Sequence, residues 1–186
     1  MDITNFVESL LFGSGRPLKI SEIKTCLENS ETYVELSDIK RSLNELEDRY
    51  SNSALEISEV ASGYRISVKK EFSPILSNFW NDKPQKISKA LMETIAIIAY
   101  KQPVTRGDIE DIRGVNVSTN SIRSLLEREW IKVSGFKDSP GRPALYKTTA
   151  KFLDDHNLKS INSLPRLPEK IQDSIILNSD LLRDAI

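Results

Sequence analysis

Apolar residues recur at helical spacing at the start of the chain, where Ile3, Phe6, Val7, Leu10 and Leu11 share one face. The spacing predicts a helix that "GSGRP", Gly13 to Pro17, brings to an end. A second helix follows with Ile20, Ile23 and Leu27 inward, and "ELSDIKRSLNELEDRY" predicts a third with Ile39, Leu43, Leu46 and Tyr50 in one stripe. Ser37 is its expected N-cap, and Asp38 falls in the first turn, where the helix dipole favours an acid. The period then changes from that of a helix to that of a strand. In "ALEISEVASGYRISVKK", Tyr64, Ile66 and Val68 alternate with Arg65 and Ser67, which predicts a hairpin turning at Ala61-Ser62-Gly63.

The same order returns further along. "KISKALMETIAIIAYKQPVT" predicts a helix that ends before Pro103. "TRGDIEDIRG" predicts a short helix capped by Thr105, and "VSTNSIRSLLEREWI" a third, capped by Ser118 or Thr119, with Ile122, Leu125 and Leu126 inward. Ile131-Val133 and Leu145-Tyr146 are the expected strands. Pro17 to Ile39 is 22 positions and Pro103 to Ile122 is 19, so the copies differ mainly by a loop insertion. Three helices followed by a hairpin, twice over, is the winged-helix pattern. The expected fold is mainly α with small β-hairpins (α+β), as tandem winged-helix domains at 1–80 and 81–155 and a partly extended or disordered tail at 156–186.

Residues 71–86 connect the two copies. Phe72, Ile75, Leu76, Phe79 and Trp80 are too apolar for a free linker and predict a short helix, packed on one domain or closing the first. The first helix of the second copy has a wide apolar arc. Ile87, Leu91, Ile95 and Ile98 form its stripe, Met92, Ala96 and Ala99 widen it, and Ile97 falls outside it. Such a helix is buried from more than one side, by the other domain or by another chain.

Charge separates the two copies. Residues 1–80 carry 9 basic and 13 acidic side chains, a net of −4, whereas residues 81–186 carry 17 and 14, a net of +3. The first copy's third helix shows Asp38, Lys40, Arg41, Asn44, Glu45, Glu47 and Asp48 outward, which disfavours a phosphate-lined groove. In the second copy Asn116, Asn120, Arg123, Arg128 and Arg142 could meet DNA, but Glu127, Glu129 and the "DIED" run from Asp108 would be pushed against phosphates. Direct DNA contact is expected to be weak or indirect. The loop "GFKDSPGRPALYKTT" fits a DNA-touching wing or a rigid prop for gripping protein. Pro140 and Pro143 fix φ at two positions, Gly141 permits a tight turn, and Arg142 offers a planar fork.

Candidate chemistry is sparse. One cysteine, Cys26, and one histidine, His156, build no zinc site from the usual soft ligands, and Cys26 is expected to fill the core. No phosphate-binding loop, metalloprotease or nucleophile-elbow motif occurs. An enzyme is not expected, nor is any cofactor, metal or small-molecule substrate. No apolar run approaches bilayer length and the N-terminus lacks a basic leader, so the expected location is cytoplasmic.

From Ala90 to Glu169 the chain resembles the bacterial segregation and condensation protein B family (ScpB). The resemblance is densest in "ETIAIIAYKQPVTR", "IRGVN", "LLER", "GRPALYKTT" and "LKSINSLPRLPE". It implies a tandem winged-helix homodimer, a non-catalytic, nucleoid-associated subunit of a condensin-like complex that binds the kleisin ScpA and, through it, the SMC heads. It further implies a part in chromosome condensation and partition during cell division, with the first domain dimerising and the second gripping the kleisin. Exposure, not the family's motifs, supplies the contact candidates: Met92, Ala96, Ile97, Tyr100, Arg106, Arg123 and Arg142 for the kleisin, and Ile3, Phe6, Val7 and Leu10, so far as the core leaves them exposed, for the dimer. The rival reading is a winged-helix DNA-binding transcription regulator. In the tail, "SLPRLPEK" reads as an extended Pro-spaced segment, and "IQDSIILNSDLLRDAI" as a marginal amphipathic helix or a frayed end.

Overall fold

The computed structural model of the chain describes residues 2–30, 32–80 and 87–166. These fall into two compact units, one within 2–80 plus 156–160 and the other within 87–155 plus 161–166.

The first unit opens with α1 (Ile3–Gly13), whose first turn is capped by the Asp2 carboxylate accepting the Thr4 N–H at 3.0 Å. The helices α2 (Ile20–Asn29) and α3 (Leu36–Tyr50) pack with it around Val7, Leu11, Ile23, Leu27, Val34, Ile39, Leu43 and Leu46. The strands β1 (Leu55–Val60) and β2 (Gly63–Val68) pair antiparallel, Leu55 opposite Val68 and Val60 opposite Gly63. Leu18 adds a one-residue third strand by bridging Tyr64, with both N–H···O bonds at 2.8 Å. This bridge explains Gly63. Its φ is 131°, and a Cβ there would lie 2.2 Å from the Leu18 carbonyl oxygen.

Two expectations are corrected in this unit. The N-cap of α3 is Glu35, not Ser37, because Asp38 reaches back to accept the Glu35 N–H at 3.1 Å and so starts the helix two residues earlier. Cys26 is exposed instead of filling the core. The buried residues of α2 are Ile23 and Leu27, and Cys26 is turned about 100° from its neighbour Leu27. The connector does form a helix, α4 (Ser73–Trp80), after a 3₁₀ turn at Lys70–Phe72, yet Ile75 and Phe79 remain exposed on it.

The second unit repeats the plan with α5 (Lys89–Lys101), α6 (Arg106–Arg113), α7 (Thr119–Glu127), β3 (Ile131–Phe136) and β4 (Ala144–Thr148), then α8 (Ala150–Asp155). Val104 bridges Tyr146 as Leu18 bridges Tyr64, so each hairpin carries the same third strand. Leu91, Ile95, Ile98, Val104, Ile109, Val117, Ile122, Leu125 and Ile131 make the core. Trp130 joins it, edge-on to Phe152 with ring centroids 6.2 Å apart, and its indole N–H donates to Asp155 at 2.9 Å. Leu126, expected inward, is exposed at the end of α7.

Residues 156–166, expected as part of a tail, are built onto the units. In the first unit the Leu158 carbonyl accepts the Ala61 N–H at 3.0 Å, and Lys159 pairs with Glu59 at 2.7 Å. In the second, a 3₁₀ turn at Ile161–Ser163 lays Ile161 and Leu164 on the core. The readings of Trp80's side chain and of 167–186, including "IQDSIILNSDLLRDAI", concern parts of the chain outside the described residues.

Candidate partner-binding surfaces

Helix α5 is held from beneath by a polar tie. Thr94, fully buried, donates its hydroxyl to the Ala90 carbonyl at 2.8 Å and accepts from Arg113 at 3.3 Å. Arg113 also meets Glu93 at 3.0 Å, fixing the end of α6 against α5. What α5 shows outward is therefore set in place. Met92 is 40% exposed and Ala96 is exposed, so two of the apolar candidates are free to meet another chain. Ile97 and Tyr100 are half-buried. Ile97 packs on the unit's own core, as Ile161 and Leu164 also do, and the Tyr100 hydroxyl donates to the Pro165 carbonyl at 2.5 Å. Part of the apolar arc that the sequence offers is thus already occupied from within.

The basic candidates are scattered. Arg106, at the start of α6, pairs with Glu110 at 3.0 Å and also donates to Thr119 at 3.2 Å, which ties α6 to α7. Arg123 on α7 lies 3.5 Å from Glu127, an exposed pair one helical turn apart. Arg142 is at the tip of the β3–β4 loop, exposed, with φ of 41° beside Gly141 at 82°. Its backbone N–H closes the turn on the Ser139 carbonyl at 2.9 Å. The loop is anchored at its base by Lys137, whose N–H donates to the Pro143 carbonyl at 2.9 Å and whose ammonium sits 3.1 Å from Asp108.

Asp108 serves α6 at the same time. It accepts the Thr105 N–H at 2.8 Å while the Thr105 hydroxyl accepts the Asp108 N–H at 3.2 Å, a reciprocal cap. Burial pushes its carboxyl up, but the Thr105 bonds and Lys137 outweigh that and hold it below the usual carboxylate value. Glu110 is likewise held down, by the Val117 N–H at 2.8 Å and by Arg106.

On the first unit, Val7 is fully buried and offers no surface, whereas Ile3, Phe6 and Leu10 are half-buried against the core they help to form. Sequence periodicity could not separate them, because all four belong to one helical face. The exposed apolar residues of this unit include Phe12 and Val68, which flank a shallow groove lined by Leu11, Pro17, Leu55 and Ile66. The outward face of α3 keeps its acids, with Arg41 turned onto Asp38 at 2.9 Å. Among the described residues no group of histidine, cysteine and carboxylate side chains could hold a metal ion, and no helix is long and apolar enough to cross a membrane.

Two winged helices in tandem, carrying exposed apolar and charged surfaces, define the class as a tandem winged-helix protein. The family model for the segregation and condensation complex subunit ScpB matches residues 5–167, across both units, and the chain belongs to that family. A segregation and condensation protein B homolog from Coxiella burnetii is 45% identical over 165 residues, covering 89% of this chain and 78% of the relative. Segregation and condensation protein B of Bacillus subtilis is 37% identical over 180 residues, covering 95% and 89%. Among solved structures, ScpB from Mycobacterium tuberculosis is 26% identical, covering 84% of this chain and 95% of that one, with a TM-score of 0.38. A dimer of a ScpB N-terminal domain complexed with a ScpA peptide is 25% identical, covering 46% and 92%, with a TM-score of 0.36.

Proposed function

We propose that the chain is a non-catalytic subunit of an SMC complex, which binds the kleisin through its second unit and dimerises through its first. Family membership across both units carries this reading. The surfaces support it. Met92 and Ala96 stay open on α5, while the first unit keeps an acidic third helix that repels a phosphate backbone. Arg106, Arg123 and Arg142 would add separate basic contacts, and Ile97 and Tyr100 the partly covered floor. Ile3, Phe6 and Leu10 remain the candidates for the dimer. The subunit would work in the cytoplasm at the nucleoid, in chromosome condensation and partition, and would reach DNA through its partners.

Co-purification with the cognate kleisin, followed by mass measurement, tests this. A stable complex containing two copies of this chain is expected. A chain that leaves the kleisin unbound, yet holds random duplex DNA tightly at physiological salt with a steep salt slope, would be a transcription regulator instead.

A further inference from the structure

The second wing has two unlike faces, and a bulge makes them so. Residues directly opposite on antiparallel strands point to the same side. Ile131 faces Thr148 and Val133 faces Tyr146, and the register shift between Val133 and Gly135 then sets Phe136 opposite Ala144. In an unbroken strand Phe136, three residues beyond Val133, would point to the other side. One face therefore runs outward from the core through Ile131, Val133 and Phe136, with Tyr146 and Ala144 beside them. Exposure along it rises from 2% at Ile131 to 46% at Val133 and 61% at Phe136. The core covers only the inner end of an apolar strip that the bulge prolongs.

The opposite face places Lys132 directly across from Lys147, both exposed. Like charges in that position destabilise a free hairpin. With Lys137 and Arg142 against Asp138, residues 131–149 carry four basic side chains and one acidic, a net of +3 on a chain whose net charge is −1. Strand β4 is flanked by β3 and by the Val104 bridge, whereas β3 has β4 alone as a partner among the described residues. One edge of the sheet is left open beside an apolar strip and a concentration of positive charge.

We infer that the open edge of β3 takes an extended polypeptide segment as an added strand, with apolar side chains on Val133 and Phe136 and acidic ones towards Lys132 and Lys147. Alternation is required because a strand sends successive side chains to opposite faces. A nucleic acid would use the lysines but would have to cover Phe136 with a charged backbone, so the two faces together favour an acidic–apolar peptide. The inference rests on the proposed kleisin binding and names a contact surface for it on β3, away from the α5 candidates.

The test uses the full chain and the full-length cognate kleisin. Isothermal calorimetry compares the native chain with Phe136→Ser, the charge reversal Lys132→Glu with Lys147→Glu, and Met92→Ser, each checked by circular dichroism for retained fold. At least tenfold weaker binding is expected for Phe136→Ser and for the charge reversal, with the amides of β3 gaining protection from hydrogen exchange in the complex. Native-like affinity in both wing variants, or β3 amides that exchange unchanged in the complex, overturns the inference while leaving kleisin binding intact. Absence of any kleisin binding by the native chain overturns the proposed function as well. Retention of duplex DNA by the native chain, lost in the charge reversal with kleisin affinity unaltered, assigns the wing to nucleic acid and also overturns the inference.

Discussion

Gly63 concentrates the strictest local demand in the first unit, since a methyl group there would meet the Leu18 backbone at 2.2 Å. Backbone atoms cannot step aside as a flexible side chain does. Gly63→Ala is expected to cost about 3 kcal/mol and to detach the Leu18 bridge. Denaturant unfolding followed by hydrogen exchange would place the loss in the first unit and leave the second unchanged. Asp108 makes a different demand, on pH. Its carboxyl is held below the ordinary value of 3.8, so its contribution is full above that value and fades as pH falls through the lower folded one. Asp108→Asn should flatten the decline of stability below pH 3.8, which urea titrations across pH 2 to 7 would reveal.

At the scale of elements, α5 depends on a buried polar tie as well as on its apolar stripe. Thr94→Val keeps the shape but strips a partner from Arg113, whose Nε is already buried without one, and should cost about 1–2 kcal/mol in thermal unfolding. Helix periodicity made the core helices readable in the sequence and alternation the first hairpin, because each reports which face meets the core, while the second hairpin was read from short apolar runs on either side of its proline-bracketed loop. The third strand of each wing was harder to read. Leu18 and Val104 are single residues, too short for a period, although each follows a proline and each bridges a tyrosine of the hairpin. The cap of α3 was misplaced because the bond that decides it runs backwards from Asp38 to Glu35. The partner surface was less legible still. Val7 and its helical neighbours look alike in a sequence, and the bulge that turns Phe136 onto the apolar side of the wing leaves no compositional mark.

Across the whole molecule the unequal charge of the two halves orders the expected behaviour. A phosphate-binding protein gains from counterion release, and the net of −4 over residues 1–80 works against it. Electrophoretic shifts with random duplex should therefore stay weak at physiological salt, while sedimentation of the isolated chain should report a dimer that Leu10→Asp weakens. The Tyr100 bond to Pro165 has a practical meaning for such measurements. Residues 161–166 lay Ile161 and Leu164 over the second unit's core, so a chain shortened to end at Ser160 would bare greasy core surface to solvent. It would then adsorb reporter dyes and unrelated peptides indiscriminately, and affinity gained by trimming would reflect stickiness and not recognition.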